Sequence, residues 1–160
     1  MKKTVIAFIS GVIGGVVGTV TTLYKTSIKI EKIEKKSNKY RSYYNILNKM
    51  LFLKETGKDI GDFLIENGYT NIAVYGMGGI GERLYDELQG SKVKVCYAID
   101  QNTCSIYNDL SIIEPDGELD ENIDAVIVTS VHVYEDVQKK LSEKLSVPII
   151  SLEDFIMNIY

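Results

Sequence analysis

Cysteine and histidine are scarce in this chain of 160 residues, which has two cysteines and one histidine. Cys96 and Cys104 are too few to build a disulfide scaffold, and free thiols fit a reducing compartment. With His132 as the only histidine, there is no Cys/His cluster that could ligate a metal. We therefore predict no metal site. His132 keeps two possible roles, contact with a ligand and donation of a proton.

Positive charge is also scarce beyond residue 41. Lys2 and Lys3 carry +2, and residues 25–41 carry a net +5 from seven basic residues and two glutamates. Because the whole chain has a net charge of −4, residues 42–160 must hold −11. An acidic globular part is a poor match for nucleic acid, whose phosphates need basic patches. Nucleic acid is therefore excluded as a partner.

Familiar catalytic signatures are missing as well. The Gly-x-x-x-x-Gly-Lys-[Ser/Thr] phosphate loop does not occur. No tyrosine is followed four positions later by a lysine, the proton-relay pair of short-chain dehydrogenases. The acidic stretch from Glu114 to Asp124 lacks the spacing of a calcium loop and is interpreted as solvated. We predict no catalytic residue, which argues against an enzyme that acts alone.

A long uncharged run occupies residues 4–23, close to the length of about 20 residues with which a helix crosses a bilayer. The competing interpretation is a cleaved signal peptide, although no clear Ala-x-Ala site follows. More basic residues follow the run than precede it, so the positive-inside rule places the C-terminal side in the cytoplasm. We predict that residues 1–24 form a single-pass anchor in the cell membrane.

Two pairs of glycines lie four positions apart within this run, Gly11 with Gly15 and Gly14 with Gly18. Such pairs of small residues let two membrane helices approach each other closely. They predict a homodimer through the anchor. The alternative is a glycine-rich span that pairs with nothing.

Residues 25–69 are predicted to form a helical connector that is first basic and then amphipathic. Its apolar stripe repeats every seven residues in two series, Ile33, Tyr40, Leu47 and Tyr44, Leu51. Three interpretations stay open, namely a solvated linker helix, a short coiled coil, and a docking face for a protein partner on residues 28–53. Gly57 is predicted to end this helix, and a short helix is predicted over residues 59–66.

The most informative motif is a short apolar strand, residues 72–75, that turns through Gly76-x-Gly78-x-x-Gly81 into an amphipathic helix. In such a turn the first glycine allows the tight bend, the second lets backbone approach a phosphate, and the third lets the helix lie close to the strand. The helix N-terminus offers unpaired N–H groups to an anion. The predicted phosphate site consists of Gly76, Met77, Gly78, Gly79, Ile80 and Gly81.

A second strand over residues 93–99 ends at Asp100, which can accept hydrogen bonds from ribose hydroxyls and disfavours a 2′-phosphate. Further strands are predicted at residues 111–113, 125–128 and 148–150, the last two separated by a helix. Ligands bind beyond the carboxyl ends of parallel strands, so Gln101, Thr129 and Ser130 complete the predicted site. Residues 70–160 are therefore predicted to be an α/β domain with a small, doubly wound parallel sheet of about five strands.

The glycine turn and its helix at residues 75–88, with residues 97–102, 124–129 and 148–154, resemble the small Rossmann-type modules of bacterial surface-polysaccharide loci. These modules are described as nucleoside-diphosphate-sugar epimerase-like. The resemblance implies NAD or a nucleotide-sugar as the ligand and an accessory role in cell-envelope polysaccharide metabolism. Two alternatives stay open, a ligand-sensing regulatory domain of a membrane transport system and a small epimerase-like or oxidoreductase-like enzyme that needs a partner chain.

Overall fold

The computed structural model describes residues 2–103, 107 and 109–159, with only the backbone described for residues 2–23. The chain divides into two compact units, residues 1–38 and 39–160. The division falls inside the first helix, α1, which runs from Lys2 to Glu55.

The N-terminal unit is helical throughout its described backbone. Within the part of the chain whose side chains are described, no helix combines the length and the apolar character needed to cross a membrane. The predicted span at residues 4–23, with its glycine pairs, lies outside those residues.

The second unit contains a sheet of five strands that are all parallel, in the order β3-β2-β1-β4-β5. The strands are β1 Asn71–Tyr75, β2 Lys94–Ile99, β3 Ile112–Ile113, β4 Ala125–Val128 and β5 Ile149–Ser151. The prediction of a five-stranded parallel sheet is confirmed. The order reverses between β1 and β4, and the carboxyl ends of these two central strands meet at that point, as in Rossmann-type units.

In the described residues, four short α-helices follow α1, and they cover both faces of the sheet. They are α2 Ile60–Glu66, α3 Gly79–Leu88, α4 Tyr134–Ser142 and α5 Leu152–Met157. The apolar residues of α2, α3 and α5 pack in one core cluster, and those of α4 pack in another. Strands β2 and β3, and likewise β3 and β4, are joined without a helix in their described residues, which makes this half of the sheet compact.

The end of α1 is part of the folded domain rather than a connector to it. Ile46 and Leu53 are fully buried in the cluster that contains α3 and α5. The compact unit therefore begins at Lys39, whereas the sequence placed the domain boundary at residue 70. The stripe that the sequence emphasised lies elsewhere on the helix, since Leu47 and Leu51 are exposed.

Asp124 joins the starts of β1 and β4. Its carboxylate accepts hydrogen bonds from the Asn71 N–H at 2.7 Å, the Thr70 N–H at 2.8 Å and the Thr70 hydroxyl at 2.9 Å. These bonds, first those of the Asn71 and Thr70 backbone, lower the pKa of Asp124 below its usual value. The ionised form is therefore the one that the folded chain favours.

We expect Asp124→Asn to lower the free energy of unfolding at pH 7 by about 1–2 kcal/mol, because hydrogen bonds to a charged acceptor are lost. Since the folded pKa is depressed, this stabilisation is present above the unfolded pKa and disappears as the pH falls through the folded pKa. Urea unfolding of both proteins between pH 7 and pH 3 checks this. The control is Asp116→Asn, at an exposed site in the neighbouring loop. A difference between wild type and Asp124→Asn that stays constant down to pH 3 would contradict the assignment.

Candidate functional site

Two glycines of the turn after β1 are required by the fold itself. Gly76 has a φ of +94°, and a side chain there would meet the hydroxyls of Ser130 and Thr129. A side chain on Gly81 would collide with the carbonyl group of Gly76, because α3 begins directly against the turn. A larger residue at Gly76 must therefore adopt a strained φ and displace two hydroxyls, and a larger residue at Gly81 must displace backbone.

Gly78 and Gly79 have no such structural reason to be glycine. Gly78 has a φ of −73°, which any residue adopts. Apart from the adjacent residues and the helix's own backbone, a Cβ atom added to either residue would lie more than 4 Å from every atom that the structure describes. The turn thus presents two residues without side chains to open space, where backbone can approach a ligand closely.

The first turn of α3 faces the same space. Gly78 is the N-cap, and no described side chain caps the N–H groups of this helix end. The helix ladder starts with the bond from the Glu82 N–H to the Gly78 carbonyl at 3.0 Å. The preceding N–H groups of a helix have no carbonyl partner within it, and together with the helix dipole they favour an anion.

Asp100 lies at the end of β2 and is held against the glycine turn. Its carboxylate accepts a hydrogen bond from the Met77 N–H at 2.6 Å and another from the Asn102 N–H at 2.9 Å. A carboxylate has about four acceptor positions, so two remain for ligand hydroxyls. The negative charge of Asp100 also affects Tyr75. Burial raises the pKa of Tyr75, and the charges of Asp100 and Asp116 raise it to a lesser extent. The turn is therefore bordered by a fixed negative charge.

Of the other predicted site residues, one supports the turn and the others lie nearer the surface. Thr129 is buried, and its hydroxyl donates to the Gly76 carbonyl at 2.5 Å and contacts the Tyr75 carbonyl at 3.1 Å. Thr129 thus holds the turn from beneath. Ser130 is half-buried beside Gly76, and Gln101 is exposed after β2. The structure brings Gly76–Gly81, Asp100, Thr129 and Ser130 to one edge of the sheet. The supporting role of Thr129 was missed, although a polar residue directly after a buried strand is a signal for it.

The ring contact of His132 is with a residue outside this arrangement. It belongs to a short 3-10 turn, Val131–Val133, and its ring meets that of Tyr43 edge-on, with 6.4 Å between centroids. Burial, followed by the charge of Lys39, lowers its pKa. Among the residues with described side chains, no group of three or more His, Cys, Asp or Glu could hold a metal ion. The arrangement at the glycine turn is thus one that can bind an anion and a hydroxylated group.

Comparison with known families matches part of the chain. The family described as C2185-like, N-terminal, matches residues 68–149, which contain β1 to β4, the first residue of β5 and the glycine turn. No curated protein and no solved structure matches the chain. The matched segment covers just over half of the chain.

Proposed function

The chain belongs to the C2185-like family over residues 68–149, and we propose that this domain binds a nucleotide at the glycine turn. The observation that carries the proposal is the contrast within the turn. Gly76 and Gly81 are needed by the fold, whereas Gly78 and Gly79 face open space and have no folding reason to lack side chains. A phosphate that approaches the backbone closely supplies that reason.

The neighbouring charges favour a particular class of nucleotide. A diphosphate at the first turn of α3 is within reach of unpaired N–H groups, and a ribose placed toward β2 meets the carboxylate of Asp100. A 2′-phosphate in the same place is repelled by that carboxylate. We therefore propose NAD or a nucleoside-diphosphate sugar, rather than NADP, as the ligand.

The cellular setting that we propose follows from the N-terminal sequence. The uncharged run at residues 4–23 has the length of a membrane anchor, and the basic residues after it favour a cytoplasmic domain. Free cysteines and a nucleotide ligand agree with that side of the membrane. Together with the resemblance over residues 75–88, this supports an accessory nucleotide-binding role in cell-envelope polysaccharide metabolism.

The test is a thermal-unfolding screen of the full chain in mild detergent. The ligands are NAD(H), NADP(H), ATP, S-adenosylmethionine, UDP-sugars and GDP-sugars. A ligand that binds only the folded state at a hundredfold excess over Kd stabilises it by about 2.7 kcal/mol. We expect an upward shift in Tm with NAD(H) or a nucleoside-diphosphate sugar, and a smaller shift with NADP(H) than with NAD(H). The absence of a shift with every ligand would contradict nucleotide binding.

Gly78→Val is expected to abolish that ligand-induced shift and to leave the Tm without ligand nearly unchanged. The valine side chain projects into open space in the free protein but fills the place of the phosphate. The matched control is Ser142→Val, which adds a similar side chain at an exposed position of α4. That variant should retain the full ligand-induced shift. If Gly78→Val binds as well as wild type, the ligand does not contact the glycine turn.

A further inference from the structure

The connection from β3 to β4 leaves part of the sheet covered only by a loop. Parallel strands are usually joined by a helix that covers the sheet, but residues 114–124 form no helix. On the same face, α4 packs against the sheet through its buried apolar residues. Between the loop and α4 lies a pocket of about 190 Å³, which we call the crossover pocket and whose lining includes Tyr75, Asp116, Val137, Lys140, Leu141 and Lys144.

Two positive and two negative charges surround this pocket. Lys140 and Lys144 are matched in number by Asp116 and Glu143, and all four residues are exposed. The Lys144 ammonium donates to the Pro115 carbonyl at 3.0 Å, which ties the segment after α4 to the loop. Lys140 makes no ion pair with any residue that the structure describes. The opening of the pocket is therefore polar, but its charges sum to zero.

One tyrosine of the pocket has a hydroxyl that the fold does not use. Among the described residues, three tyrosines pack on this face of the sheet. The Tyr97 hydroxyl donates to the Asp120 carbonyl at 2.7 Å, and the Tyr134 hydroxyl donates to the Ile149 carbonyl at 2.8 Å. The Tyr75 hydroxyl forms no hydrogen bond with any residue that the structure describes. Because burial raises the pKa of Tyr75, this hydroxyl stays protonated at pH 7 and can donate to a ligand.

A sugar ring matches this combination better than a single ion does. Its hydroxyls both donate and accept hydrogen bonds, so they can meet carboxylates, ammonium groups and a phenol at once. Its C–H groups can pack against the apolar surface of Tyr75, Val137 and Leu141. An anion or a cation would instead face charges of its own sign at the opening. The volume lies below the roughly 300–1,000 Å³ of pockets for drug-sized ligands, which favours a molecule of one ring.

We propose that the crossover pocket binds a single monosaccharide ring, with the Tyr75 hydroxyl as a donor and the charged groups at the opening as partners of the sugar hydroxyls. The pocket lies on the α4 side of the sheet, whereas the glycine turn leads into α3 on the other side. This inference depends on the pocket alone and is independent of the proposed nucleotide site. A monosaccharide should therefore bind without a nucleotide.

The first experiment is saturation-transfer difference NMR of the full chain in a mild detergent that has no sugar headgroup. The probes are the methyl glycosides of glucose, galactose and N-acetylglucosamine. Benzoate, benzylamine and leucine are controls of similar size that carry an anionic group, a cationic group or both. We expect at least one glycoside to bind more tightly than all three controls. Failure of every glycoside to bind, or tighter binding of a control, would overturn the proposal.

Tyr75→Phe and Tyr134→Phe form a matched pair of variants. Tyr75→Phe removes the unused hydroxyl and keeps the ring, so we expect an unchanged Tm and an affinity for the glycoside that is weaker by about threefold or more, as for one lost hydrogen bond. Tyr134→Phe breaks the bond to the Ile149 carbonyl, so it should lower the Tm and retain the affinity of wild type. Wild-type affinity in Tyr75→Phe, or equal weakening in both variants, would contradict the proposal.

A second pair of variants tests the opening of the pocket. Lys140→Met removes a charge that lines it and should weaken glycoside binding, whereas Lys139→Met, at an exposed neighbour on α4 outside the lining, should not. Equal affinities of these two variants would count against the pocket. Gly78→Val should bind the glycoside like wild type even though it loses the nucleotide. Loss of glycoside binding in Gly78→Val would place the sugar at the glycine turn and overturn the crossover pocket.

Discussion

Replacement of Gly81 with alanine is expected to lower the free energy of unfolding by about 3 kcal/mol or more, at the upper end of single-residue effects. The added Cβ would collide with the carbonyl group of Gly76, which is backbone and cannot rotate away as a side chain does. That carbonyl also accepts the hydrogen bond from Thr129, so a shift of the turn weakens a second contact. Urea unfolding of the full chain in detergent measures the change.

Gly79→Ala is the matched control for this prediction. Gly79 is the first residue of α3, and an added Cβ there meets no described atom within 4 Å outside the adjacent residues and the helix's own backbone. Alanine is the better helix former, so this variant should be as stable as wild type or slightly more stable. If Gly81→Ala were equally well tolerated, the close approach of α3 to the turn would be wrong. The pair also shows which glycines serve the fold, whereas Gly78→Val probes the ligand.

Leu53→Ala is the second variant for which we expect a large loss, about 2–4 kcal/mol in the free energy of unfolding. Leu53 is 1% exposed and lies in the core cluster with residues of α3 and α5. Its truncation removes apolar contacts and leaves a cavity between α1 and the rest of the domain. The measurement is urea unfolding of the full chain in mild detergent.

Leu51→Ala provides the comparison on the same helix. Leu51 is 55% exposed, so its truncation should change the stability of the monomer by no more than about 0.5 kcal/mol. Equal effects of Leu53→Ala and Leu51→Ala on the monomer would contradict the inclusion of α1 in the domain.

The two variant pairs, together with Gly78→Val, separate two properties that lie close together in this chain. Gly81 and Leu53 support the folded domain, whereas Gly78 belongs to the proposed phosphate site. Stability and ligand binding can therefore be lost independently. Loss of ligand binding in a protein with unchanged stability points to the turn.

Local patterns carried much of the correct prediction. The strand at residues 125–128 was recognised because four consecutive apolar residues indicate a parallel strand covered on both faces, and the structure has β4 there. The short helix predicted over residues 59–66 is α2, and Asp59 is its N-cap, whose side chain accepts hydrogen bonds from the Gly61 and Asp62 N–H groups. Such signals depend on residues that are neighbours in the chain, so no knowledge of the fold is needed to recognise them.

The contacts at the glycine turn could not be predicted from local sequence patterns. Its three spaced glycines and the acid at residue 100 were visible in the sequence. The bond between Asp100 and the Met77 N–H, and that between Thr129 and the Gly76 carbonyl, join residues 23 and 53 positions apart. Which residues would meet there depended on the order of the strands. The roles of Gly78 and Gly81 could be separated only once the distance from α3 to the turn was known.

Sequence by itself determined the strands, the helix ends and the acidic character of the domain, because these follow from side-chain periodicity, capping and charge within short segments. Tertiary structure alone decided which side of α1 is buried. Ile46 and Leu47 are adjacent and equally apolar, yet one is fully buried and the other is 45% exposed. A long helix with apolar residues on two faces can bury either face. Only the packing of the sheet and its helices against one face decides which of them is buried.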